Sequence, residues 1–155
     1  MNNFKIAKNI STLFYLGYIK FMPGTFGSFV GLVFGCFFLY FFSKKALIIF
    51  IIISIIFSMY YVYEYQKVTG KKDRSEIIID EFVGQLIPLL FINFNISSIL
   101  FSFFLFRFFD IIKIFPANLI DRKFSNYFGV IFDDIIAGLQ AAIILIMYYH
   151  LYEKF

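Results

Sequence analysis

Two apolar stretches decide what this chain can fold into. Residues 24–42 carry no charge, residues 46–63 are dominated by Ile, Phe and Tyr, and only a short break at Lys44-Lys45 parts them. Each is about long enough to cross a bilayer as a helix, which takes roughly 20 apolar residues. The remaining composition agrees. The chain is 61% hydrophobic and 24% aromatic, with 26 Phe, and its mean hydropathy is +0.85. That leaves too little polar surface to wrap a soluble globule. We therefore expect an all-α integral membrane helical bundle. It should form one domain over residues 1–155, with about five hydrophobic helices and an amphipathic N-terminal arm, residues 1–22.

The arm interleaves Lys5, Lys8 and Lys20 with Phe4, Phe14, Tyr15 and Tyr18, a pattern suited to lying on an anionic membrane surface. It is polar and basic, and no small-residue cleavage pattern follows the first apolar run, so no secretory signal is expected. Gly27, Gly31 and Gly35 recur at spacing four. That small-xxx-small stripe lets membrane helices approach closely and would permit a homo-oligomer. The single Cys36, between Gly35 and Phe37, is a packing residue and excludes an intramolecular disulfide.

Residues 64–76 are the most polar segment, with Lys67, Lys71, Lys72, Asp73 and Arg74 around a turn at Gly70. Residues 77–106 read either as one long span or as a hairpin turning at Asn93-Phe94-Asn95. Two Asn separated by one position favour a turn and are costly in lipid. The hairpin also puts nearly all Lys and Arg on one side, which is then cytoplasmic. Residues 118–133 form a polar connection, and residues 134–151 the last span, with Gly138, Ala141 and Ala142 as packing residues. His150 falls at the far end as an interfacial residue.

With the hairpin, Asp73, Glu76, Asp80, Glu81, Asp110, Asp121, Asp133 and Asp134 gather on the cytoplasmic side. Acids at membrane depth are functional candidates by default. Glu76 and Asp80, four apart, would stack on one helix face. Arg107, Asp110 and Lys113 make a second polar stripe. Residues 77–79, three Ile in a row, are poor helix formers and allow a local departure from helix. Asp133 has a plainer reading as the cap of the last helix, with Asp134 favouring its dipole.

Converging carboxylates without Cys or His suit a hard cation such as Mg²⁺, and neighbouring Arg and Lys suit a phosphate. Other phosphatase chemistries lack their parts. His150 is alone and misplaced, Cys36 sits in no phosphate loop, and Asp-x-Asp is absent. No nucleic-acid partner is expected; membrane lipids are.

Four motifs in order resemble the phosphatidylglycerophosphatase A family. They are Pro23-Gly24-Thr25-Phe26-Gly27-Ser28, the run from Ser75 to Gly84, the run from Phe106 to Lys113, and the run from Gly129 to Gly138. The resemblance implies a Mg²⁺-dependent, all-helical lipid phosphatase of the bacterial inner membrane. Such an enzyme converts phosphatidylglycerophosphate to phosphatidylglycerol. It places Glu76, Asp80, Glu81, Asp110, Asp133 and Asp134 in an acidic, metal-holding site, with Arg107 and Lys113 as its cations. It also makes Gly24, Thr25, Gly27 and Ser28 a phosphate-contacting motif, which moves Gly27 from packing to function. Ile114 stands where the family usually has Pro, and Asn126-Tyr127-Phe128 where a glycine pair is common. The competing readings are a phosphatase for another lipid phosphate and, in a different class, a small membrane cation transporter.

Overall fold

A computed structural model describes residues 2–70, 74–124 and 126–152, and among these the regular structure is entirely helical. Lys71, Lys72 and Asp73 lie outside the described residues, as do the side chains of Asp121 and Arg122. The helices are α1 (Asn2–Ser11), α2 (Pro23–Phe41), α3 (Lys44–Thr69), α4 (Ile79–Leu89), α5 (Ile96–Ile112), α6 (Ala117–Lys123) and α7 (Tyr127–Tyr152). Three of them, α2, α3 and α7, are long and apolar enough to cross a membrane. The expected five hydrophobic helices thus resolve into three long ones and the pair α4 and α5.

Local chemistry sets the boundaries. Pro23 opens α2, where its missing N–H is not needed. The Ser43 hydroxyl accepts from the Ala46 N–H at 3.3 Å to cap α3, and Gly70 ends that helix at φ 69°. The expected hairpin is present. Residues 90–95 form the turn, and Asn95 caps α5 by accepting from the Ser98 N–H at 2.9 Å. Ile77 and Ile78 stay outside helix α4, and the Ile78 N–H donates to the Ser11 carbonyl at 3.0 Å.

The short helix α4 is the centre of the molecule, and every residue from Phe82 to Leu89 is buried. Its eleven residues rise about 16 Å, too little to cross a bilayer. It lies mainly between α2 and α7. Glycines make that seat possible. A Cβ on Gly27 would come within 2.5 Å of the Ile78 carbonyl oxygen, and one on Gly31 would overlap the Phe82 carbonyl. On the other side, a Cβ on Gly138 would stand 2.5 Å from the carbonyl oxygen of Gly84. The stripe read as a possible oligomer contact is therefore covered from within the chain.

Helix α1 packs along α3, burying Ala7 completely, so the arm is docked on the bundle. The α3 surface that remains, with Ile49, Ile52, Ile56 and Phe57 more than half exposed, is an apolar face that lipid solvates. The last helix starts earlier than expected. Asn126 caps it by accepting from the N–H groups of Phe128 and Gly129 at 3.2 Å each. Asp133 is therefore no cap but a buried residue in the second turn of α7. His150 lies sixteen residues beyond Asp134 on the same helix, about 24 Å away at the other end.

Candidate active site

The cleft-bearing end of the bundle is built from helix ends. Asp80 and Glu81 occupy the first turn of α4, where unpaired backbone N–H groups favour negative charge. Their carboxylates come together with that of Asp134, while each also reaches a different neighbour. Glu81 reaches toward α2 and α5, so that a Cβ on Gly24 would overlap its Oε1 and stand 3.2 Å from Arg107 Nη1. Asp80 turns toward α7. Asp80, Asp133 and Asp134 are 7%, 4% and 4% exposed.

One carboxylate oxygen each from Asp80, Glu81 and Asp134 lies within 4.8 Å of the other two. Burial, then the charge of Glu81, holds the Asp80 carboxyl well above the usual carboxylate range. Burial also raises Glu81, against the lowering effect of its hydrogen bond with Asp80 and of Arg107. The Glu81 Oε2 atom is buried without a hydrogen-bond partner. Desolvated carboxylates this close need a positive charge among them, and an all-oxygen donor set with an orphaned buried oxygen fits a hard divalent cation.

Two cations flank the cluster, each on its own tether. Arg107 Nη1 pairs with Asp110 one turn later on α5 and donates to Ser28 Oγ at 3.2 Å. Ser28 in turn donates to the Gly24 carbonyl at 2.9 Å. Lys113 ends α5 in the left-handed region at φ 48°, which takes it out of the helical stripe. From there its Nζ meets Asp133 Oδ2 at 2.6 Å. A cleft of about 260 Å³ opens over these groups, lined by Pro23, Gly24, Arg74, Ser75, Ile77, Asp80, Glu81, Asp110, Lys113, Val130, Asp133 and Asp134.

Most of the residues singled out from sequence meet here: Gly24, Asp80, Glu81, Asp110, Lys113, Asp133 and Asp134 at the cleft, with Arg107 and Ser28 behind it. Gly27 sits one turn further along α2, against Ile78. The Thr25 hydroxyl is buried without a partner. Glu76 is the departure. It precedes α4 instead of stacking under Asp80, because Ile77 and Ile78 stay out of the helix. Its Oε1 accepts from the Tyr65 hydroxyl at 3.0 Å and pairs with Arg74 Nε at 2.6 Å. Tyr65 and Arg74 were not among the site residues read from the sequence: both fall in the polar 64–76 segment, Tyr65 as an aromatic just past the second span and Arg74 as one basic residue of several.

The family model for Phosphatidylglycerophosphatase A matches residues 9–149, nearly the whole chain. The chain belongs to the phosphatidylglycerophosphatase A family. Among curated relatives, the Phosphatidylglycerophosphatase A of Haemophilus influenzae is 37% identical over 130 residues, covering 83% of this chain and 80% of that protein. The Phosphatidylglycerophosphatase A of Escherichia coli is 30% identical over 125 residues, covering 80% and 72%. No solved structure matches. In this member of the family, the four motifs become four walls of one cleft: the start of α2, the start of α4, the end of α5 and the second turn of α7.

Proposed function

We propose that the protein is a Mg²⁺-dependent phosphatase that removes the terminal phosphate of phosphatidylglycerophosphate, leaving phosphatidylglycerol. It acts as one membrane domain at the cytoplasmic face of the bacterial inner membrane. The observation that carries this reading is the meeting of Asp80, Glu81 and Asp134 from α4 and α7, beside two tethered cations, in a chain of this family. The ion would be held by these three carboxylates, with Asp110 and Asp133 beside them. When bound, it supplies positive charge to the phosphate oxygens and acidity to a nearby water.

The chain's own residues do the rest. Arg107, fixed by Asp110 and Ser28, and Lys113, fixed by Asp133, present N–H groups that stabilise charge on the equatorial oxygens of the transferred phosphoryl group. The start of α2 at Pro23 and Gly24 borders the cleft, and the positive end of the helix dipole there favours an anion. Water attacks phosphorus, the ester P–O bond breaks, and the glycerol oxygen leaves as a hydroxyl. Acyl chains stay in the bilayer against the apolar helix faces while the headgroup enters the cleft. The basic groups at the cleft end support a cytoplasmic orientation.

Phosphate release from the lipid by purified protein, with and without EDTA, tests the reading. Activity should vanish with EDTA and return with Mg²⁺. Undiminished release by Asp80→Asn or Asp134→Asn would sink it.

A further inference from the structure

One cleft cation has an anchor outside the acidic cluster. Arg74 lines the cleft with Asp80 and Lys113, yet its Nε is bound to Glu76, whose carboxylate is not among the three that converge. Glu76 itself is fixed from α3. The Tyr65 hydroxyl donates to the same Oε1 at 3.0 Å and shares a 3.1 Å hydrogen bond with the Tyr18 hydroxyl. Tyr65 is 1% exposed. Its ring centroid lies 5.7 Å from the Arg74 guanidinium carbon. A carboxylate on one edge and an aromatic ring beside it hold the guanidinium still.

Such anchoring needs a reason, because holding a long side chain of a polar loop in one partly buried ion pair costs side-chain freedom that the pair alone repays little. Guanidinium has five N–H groups in a rigid fork. With Nε committed to Glu76, the edge formed by its two terminal nitrogens remains for a second anion. The Arg74 side chain is 30% exposed, so that edge is reachable. Arg107 and Lys113 already serve the acidic cluster.

We infer that Arg74, held by Glu76 and Tyr65, binds the second anionic group of the substrate. On the reading proposed above, on which this rests, that group is the phosphodiester joining the two glycerols. Arg74 is then a specificity residue, selecting lipids with two phosphates over lipids carrying a monoester alone. Glu76 and Tyr65 are positioning residues. A guanidinium fixed before binding loses little side-chain freedom on meeting a phosphate.

The test measures kcat/KM in mixed micelles for phosphatidylglycerophosphate and for phosphatidate, which has no diester. It compares wild type with Arg74→Met, Arg74→Lys, Glu76→Gln and Tyr65→Phe, and a Mg²⁺ titration accompanies each. Arg74→Met should lower the ratio of the two values about ten- to hundredfold, the worth of one charge-assisted hydrogen bond, and the change should appear in KM. Arg74→Lys should restore part of the ratio. Glu76→Gln and Tyr65→Phe should move it the same way by less, without moving the Mg²⁺ concentration that half-activates the enzyme. An equal fall on both lipids would make Arg74 a stitch for the loop and overturn the assignment. So would a shifted Mg²⁺ requirement in Glu76→Gln, which would return Glu76 to the metal. If Arg74→Met does not fold, the ratio in Arg74→Lys and Tyr65→Phe decides: movement supports the assignment and constancy overturns it. Wild type active on both lipids with a ratio no variant moves defeats this inference alone. Wild type active on neither defeats the proposed function, and this inference with it.

Discussion

Asp134→Asn should make the protein more stable and useless at once. Asp134 is 4% exposed, and its carboxylate lies within 4.8 Å of those of Asp80 and Glu81. Two unit charges at that distance repel by about 3.5 kcal/mol where the effective dielectric constant is about 20. Without a cation the fold carries this for each pair, as repulsion or as protonation that avoids it. Asn keeps the shape and removes the charge, so the metal-free variant should gain roughly 1–3 kcal/mol, part of the repulsion being relieved already in the wild type. In a chain of this size that is a rise of about 2–12 °C in the unfolding midpoint.

Added cation should reverse the order. A ligand at a hundred times its Kd stabilises the native state by about 2.7 kcal/mol, and the variant has lost a donor for it. Wild type should therefore climb with Mg²⁺ while Asp134→Asn stays nearly flat and releases no phosphate. The chain has no Trp, so far-ultraviolet circular dichroism in detergent, with EDTA and then across a Mg²⁺ series, is the suitable readout. A metal-free midpoint below that of wild type, or a full metal-induced rise in the variant, would refute the electrostatic account of the cluster.

Other consequences are narrower. Ser28→Ala removes the hydroxyl that accepts from Arg107 Nη1, and kcat/KM for phosphate release should fall about threefold to tenfold with little change in midpoint. Gly138→Ala puts a Cβ 2.5 Å from the Gly84 carbonyl oxygen. Backbone meets backbone there, so the metal-free thermal midpoint should drop by the equivalent of about 1–3 kcal/mol, and the gap to wild type should widen with Mg²⁺, because lifting α4 also opens the acidic cluster. Asn95→Ala deletes the cap of α5 and should cost about 1 kcal/mol in the same melt while phosphate release at low temperature persists, since Asn95 lies at the turn opposite the cleft.

What the sequence made legible follows from how local each signal is. The hairpin could be read because Asn95 acts within three residues, on the Ser98 N–H. The break expected over residues 77–79 could be read because consecutive Ile disfavour helix, and it holds for Ile77 and Ile78, whereas Ile79 already begins α4. The convergence of acids followed once both were in place. Partners set by packing could not be read. Glu76 looked like a stack mate for Asp80, but its hydroxyl partner Tyr65 arrives from α3, across a loop. Asp133 looked like a cap until Asn126 took that part and carried the helix start back to Tyr127. Arg74 disappeared into a basic loop because charge counting cannot show which cation is tethered.

The glycines show why packing and chemistry resist separation in this molecule. Gly27 and Gly31 on α2, and Gly138 on α7, let α4 sink between its neighbours until carbonyls stand where side chains would be. That depth is what buries the first turn of α4 and brings Asp80 and Glu81 to Asp134. A larger residue in the stripe would lift α4 and open the cluster without touching one acid. Gly24 completes the same surface, since a Cβ there would displace the Glu81 carboxylate itself. The choice between a packing glycine and a site glycine is thus a false one along this stripe. The close approach is how the fold dries the acids, and dried acids are what would give a divalent cation its hold.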